Sequence, residues 1–108
     1  IPLDNWPEPV NRSFAKLNQQ QYVIMQGPSE FGIAGKLENW DRSNDLKQIK
    51  VRTLIIGATY DTMDPAHMEW MSKQISGALF HLCPNGSHMC MWDDQQSYFK
   101  GLIGFLKT

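Results

Sequence analysis

Apolar positions along this chain follow two rhythms, a helical one near the start and a strand-then-helix one later, separated by glycine and proline breaks. Pro7-Glu8-Pro9 marks a stop followed by a helix start with an acid in its first turn. Val10, Phe14 and Leu17 then recur at helical spacing, with Asn11, Arg12, Lys16 and Gln20 on other faces. The spacing predicts an amphipathic helix from Val10 to about Gln21. Tyr22-Val23-Ile24-Met25 is too short for periodicity to assign, and reads as the end of the helical region because Gly27-Pro28 breaks the chain directly after it. Ser29 to Lys36 is too glycine-rich for a regular element. It reads as a structured loop bearing one acid, Glu30.

The second half is patterned differently. Asp41-Arg42-Ser43-Asn44-Asp45 is a polar cluster and predicts a turn. Val51-Arg52-Thr53-Leu54-Ile55-Ile56 is rich in β-branched residues and predicts a strand ending at Gly57, of the kind covered on both faces in a parallel sheet. A loop with two carboxylates, Asp61 and Asp64, precedes Pro65, where a helix fits with Asp64 as its N-cap and runs through Met68, Met71 and Ile75 until Gly77 closes it. Ala78–Cys83 predicts a second strand, broken by Pro84 and the Asn85-Gly86 turn. Asp93-Asp94 then opens a last helix carrying Tyr98, Leu102, Phe105 and Leu106. Strand, helix, strand, helix is the order of a parallel α/β sheet. Two strands alone leave a face and an edge exposed, so the expectation is a segment of a longer polypeptide or one product of a cleavage.

Composition narrows the classes. With 108 residues, 42% hydrophobic and 19% charged, the chain suits one globular domain rather than a disordered segment. Ten basic residues against eleven acidic ones, without a like-charged block, exclude the footprint that follows a nucleic-acid backbone. No apolar run approaches the roughly 20 residues of a membrane span, so no membrane partner is expected. Ile1 opens onto Pro2, Asp4 and Pro7 without a signal pattern, and the expected location is cytoplasmic. Cys83 and Cys90 lack the spacing of redox or zinc sites and read as free thiols. Neither a metal nor a cofactor is expected.

Candidate chemistry gathers at strand ends. In doubly wound sheets the ligand crevice lies beyond the carboxyl ends of the strands. Asp61 follows the first strand there and His88 the second, so adjacent parallel strands would bring an acid and a histidine to one rim. A carboxylate so placed fixes the imidazole tautomer and stabilises the imidazolium formed when a hydroxyl is deprotonated. Asp64 is the competing acid but is better explained as a helix cap, and His67 and His81 read as structural. Acid before histidine matches the tail of the Ser, Asp/Glu, His order of α/β-hydrolases, yet no G-x-S-x-G elbow occurs in the chain. Cys90 is not the expected nucleophile. The soft Met89-Cys90-Met91-Trp92 run reads as an apolar pocket wall.

The stretch from Tyr22 to Phe31, containing Gly27-Pro28-Ser29-Glu30-Phe31, resembles the C-terminal part of the proline iminopeptidases, serine aminopeptidases of the α/β-hydrolase fold. Asn39-Trp40-Asp41, Gly57-Ala58-Thr59-Tyr60-Asp61, and Gly86-Ser87-His88 with Asp93-Asp94 and Tyr98-Phe99 extend the likeness over nearly the whole chain. The resemblance implies that residues 1–45 end a helical cap domain and residues 46–108 form the last strand-helix-strand-helix of the core. It further implies Asp61 as triad acid, His88 as triad base, and Glu30 as the cap glutamate binding the substrate's free α-amino group. The nucleophilic serine would lie in the remaining N-terminal part of the enzyme, leaving this chain inactive alone. Thr62 stands where some relatives carry a second acid, which leaves room for an amino-acid amidase or esterase of the same fold. A non-catalytic fragment or binding module is the alternative from another class.

Overall fold

The computed structural model describes residues 6–28 and 34–108. The loop acid Glu30 lies outside them. The described residues up to Arg42 belong to one compact unit, and Ser43–Thr108 to another.

In the first unit, helix α1 spans Glu8–Ala15 and helix α2 spans Gln19–Gln26. The single helix expected to about Gln21 is therefore two. Asn18 is the cause: its side chain accepts the Gln21 N–H at 3.0 Å, taking the N-cap role, so the chain restarts a helix there. Tyr22–Met25 then lies inside α2. Val10 is buried as its place in the pattern predicts, whereas Phe14 is exposed and Leu17 lies beyond the end of α1. The last carbonyls of α2 are satisfied by returning chain: Ala34 and Gly35 N–H donate to Gln26 O, and Lys36 and Leu37 N–H to Ile24 O and Met25 O.

The second unit opens with a 3₁₀ helix, Ser43–Gln48, where a turn was expected. Strands β1 (Leu54–Ala58) and β2 (Leu79–Cys83) pair in parallel, Leu54 opposite Leu79 and Ala58 opposite Cys83. β1 thus begins three residues later than Val51 and runs past Gly57. The partner sets this limit: β2 begins only at Leu79, whose N–H donates to Thr53 O at 3.0 Å. Val51 lies outside the ladder and is exposed.

Between the strands, helix α3 (Pro65–Gln74) packs on the sheet. Asp64 caps it as expected, accepting the Ala66 N–H at 2.9 Å. Ile75 is the extended C-cap and is almost fully buried, a burial that stabilises by about 1.5–3 kcal/mol. Gly77 closes the turn at φ 72°, a left-handed geometry that favours glycine. After β2 comes a short helix that the sequence pattern did not announce, α4 (Cys90–Asp93), followed by α5 (Gln95–Leu106). His81 fastens β2 to α5, its Nε2 lying 2.8 Å from Ser97 O, with the ring against Gly101. This is the structural role expected of it. The innermost cluster is Ala58, Cys83 and Cys90, with Ile56 and Tyr98 packed on it, directly below the two strand-end loops.

Candidate active site

Because β1 and β2 are parallel and in register, their carboxyl ends stop side by side at Ala58 and Cys83. The two loops that leave them are laced together. Thr59 N–H donates to Cys83 O at 3.2 Å, and Tyr60 N–H to Gly86 O at 2.9 Å. One residue beyond Tyr60 stands Asp61, and two beyond Gly86 stands His88. The structure brings them into contact: His88 Nδ1 lies 3.1 Å from Asp61 Oδ1 and 3.3 Å from Oδ2.

The Asp61 side chain is only 10% exposed, and its Oδ1 also accepts the Met63 N–H at 3.0 Å, which fixes the carboxylate's orientation. A carboxylate can only accept, so the proton of the neutral imidazole sits on Nδ1 and Nε2 keeps a lone pair. The His88 side chain is 66% exposed, so that lone pair is open to a group from beyond these residues. A shielded acid, an oriented imidazole and an accessible basic nitrogen together can take and return a proton.

Residues beyond these two hold the histidine loop. Asp93 Oδ1 accepts the Ser87 N–H at 3.0 Å, and Asp93 Oδ2 accepts the Ser87 hydroxyl. The same hydroxyl accepts the Met89 N–H at 3.2 Å, and Asp94 Oδ2 accepts the Asn85 N–H at 3.0 Å. Asp93 and Asp94 thus hold the histidine turn, a role that neither their place at a helix start nor the resemblance assigns to them. The available signal was a polar turn followed within one short helix by two acids, a spacing that lets carboxylates reach the turn's amides.

Cys83 and Cys90 are free and buried, as expected. Burial, reinforced by the neighbouring Cys90 thiol, pushes Cys83 up to about 12 from an ordinary 9.0, and burial likewise raises Cys90. Both stay protonated at neutrality and are packing groups rather than nucleophiles. Beside the pair lies a cavity of about 320 Å³, lined by Asp61, His88, Met63, Met68, Met91 and Tyr98. Met91 contributes to its wall in keeping with the expected role of the soft run. A larger cavity of about 600 Å³, between β2 and α5, is lined by His81 and Lys100 but by neither Asp61 nor His88.

No protein-family profile matches the chain. A curated proline iminopeptidase from Chitinophaga pinensis is 53% identical over 107 residues, covering 99% of this chain and 36% of that protein. One from Flavobacterium johnsoniae is 50% identical over 104 residues, covering 96% of this chain and 35% of that protein. The chain resembles the C-terminal part of the proline iminopeptidases. It spans about a third of the length of these proline iminopeptidases. Among solved structures, VinJ superposes with a TM-score of 0.86 at 22% identity, covering 97% of this chain and 36% of that one. A hydrolase from Pseudomonas aeruginosa PA01 superposes with a TM-score of 0.61 at 25% identity, covering 96% of this chain and 41% of that one. The fold is that of the C-terminal portion of an α/β-hydrolase, with parallel strands and flanking helices, as expected from the sequence. Among the described residues no helix is long and apolar enough to cross a membrane.

Proposed function

We propose that this chain supplies the acid and base of a serine aminopeptidase that releases N-terminal proline from peptides. The observation that carries the reading is the contact between Asp61 and His88 at the shared rim of β1 and β2. Identity of about half to proteins named proline iminopeptidase supports the substrate class. The nucleophilic serine belongs to a part of the enzyme outside these 108 residues, and the chain alone is inactive. Residues 1–45 are the end of a helical cap and residues 46–108 the close of the hydrolase core.

His88 Nε2 takes the serine hydroxyl proton as that oxygen attacks the prolyl carbonyl, and the imidazolium so formed is stabilised by Asp61. The imidazolium then gives its proton to the departing amine, leaving a prolyl ester on the serine. Water, deprotonated by the same nitrogen, hydrolyses that ester and regenerates the serine hydroxyl. Glu30 binds the substrate's free ammonium through a charge-assisted hydrogen bond, which restricts cleavage to the first residue.

A second reading, an amino-acid amidase or esterase of the same fold, is favoured by Thr62 directly after Asp61. Turnover of a prolyl arylamide, its N-acylated form, an amino-acid amide and an acyl ester by the complete protein separates the two. Aminopeptidase action predicts preference for the free-amine prolyl substrate, loss of cleavage on N-acylation, and a raised KM in Glu30→Gln. Equal cleavage of the N-acylated substrate would remove Glu30 from its role, and preference for the amide or ester would favour the second reading.

A further inference from the structure

We propose that Asp93 is a positioning residue for His88, acting through Ser87. The inference rests on the reading of His88 as a catalytic base and adds a residue to that site. His88 sits on a turn, and a turn does not hold its own geometry as a strand does. Here the backbone amides on both sides of His88 are tied to one carboxylate. Ser87 N–H goes to Asp93 Oδ1, and Met89 N–H goes to the Ser87 hydroxyl, which donates to Asp93 Oδ2.

Ser87 is buried and Asp93 half-buried, so this network is sheltered from competing water. Its anchor lies at the end of α4, whose first residue Cys90 belongs to the buried cluster with Cys83 at the end of β2. The loop is thereby fixed to the core on one side, while Tyr60 N–H on Gly86 O fixes it to the Asp61 loop on the other. Asp94 holds Asn85 three residues upstream, but only Asp93 brackets the histidine itself. Removing the bracket leaves Asp61 and His88 chemically intact and frees the imidazole to drift.

The complete protein and its Asp93→Asn, Asp93→Ala, Ser87→Ala and Asp93→Ala/Ser87→Ala variants test this by steady-state turnover of a prolyl arylamide. One-dimensional proton NMR of the His88 Nδ1–H resonance provides a second readout. Displacement of a reacting group by about 1 Å can lower turnover about 100-fold, the kcat loss expected for Asp93→Ala, with KM within about threefold of wild type. Asp93→Asn keeps an acceptor for Ser87 N–H and loses the one for its hydroxyl, so about a tenfold fall is expected, as for Ser87→Ala. The double variant should lose no more than Asp93→Ala alone, because both act through one relay. The low-field resonance should broaden or vanish in Asp93→Ala. Should Asp93→Ala fail to fold, Asp93→Asn and Ser87→Ala carry the test. Variants that keep both wild-type kcat and the resonance overturn the proposal, as does a loss carried wholly by KM. Failure of the underlying reading shows instead as a wild-type protein that does not turn over the prolyl substrate, and the resonance then decides the role of Asp93.

Discussion

Gly86→Ala is the sharpest single probe of how the two strand-end loops are locked together. A methyl group at Gly86 would stand 2.6 Å from Cys90 Cβ, 3.1 Å from Asp94 Cβ and 3.2 Å from Cys83 Cβ. All three are carbons next to the backbone, so no flexible side-chain end can swing away. Ordinary carbon contacts lie near 3.5–4.0 Å, and relief needs a shift of roughly 1 Å between the turn and α4. Overpacking of this kind typically costs about 1–3 kcal/mol. The turn also carries the Gly86 O that accepts Tyr60 N–H at 2.9 Å and, two residues on, His88 at 3.1 Å from Asp61. A shift of that size breaks the His88–Asp61 contact, and kcat/KM of the complete protein on a prolyl arylamide should fall about 100-fold. Thermal melting and turnover measured together check both numbers. A Gly86→Ala protein with wild-type melting and wild-type kcat/KM would refute the packing argument outright.

Other consequences concern the cap and the thiols. Asp64→Ala should lower stability by about 1 kcal/mol, read as a shift in the urea midpoint, and leave kcat unchanged, because Asp64 caps α3 and does not touch His88. Cys83 and Cys90 should react with a thiol reagent only after unfolding. The Cys83 thiol is raised in the fold to about 12, so its contribution is complete below the unfolded thiol's pKa near 9. That contribution is lost as pH rises from about 9 to about 12, with a slope of up to about 1.4 kcal/mol per pH unit. Urea midpoints at pH 8 and pH 10.5 should therefore diverge more in the wild type than in Cys83→Ala, and equal divergence would remove the thiol from the account.

What the sequence disclosed and what it withheld have physical reasons. The α/β order was readable because β-branched runs such as Leu54-Ile55-Ile56 and caps such as Asp64-Pro65 are local signals. The meeting of Asp61 and His88 was readable because parallel neighbours must end at the same rim. The start of β1 was not, since a strand's extent is set by its partner, and β2 begins only at Leu79. The break at Asn18 was hidden among glutamines that suit a helix, and only the side-chain bond to Gln21 N–H decides it. Least visible was the hold of Asp93 on Ser87. Bonds from side chain to backbone across a short helix leave no periodic trace.

The central claim is that Asp61 orients His88 for proton transfer. Asp61→Asn in the complete protein keeps the side chain's size and puts an amide in place of the carboxylate that fixes the tautomer. Initial rates on a prolyl arylamide should fall about 10⁴-fold in kcat while the protein keeps its fold by circular dichroism. Undiminished turnover by a folded Asp61→Asn protein would contradict the account.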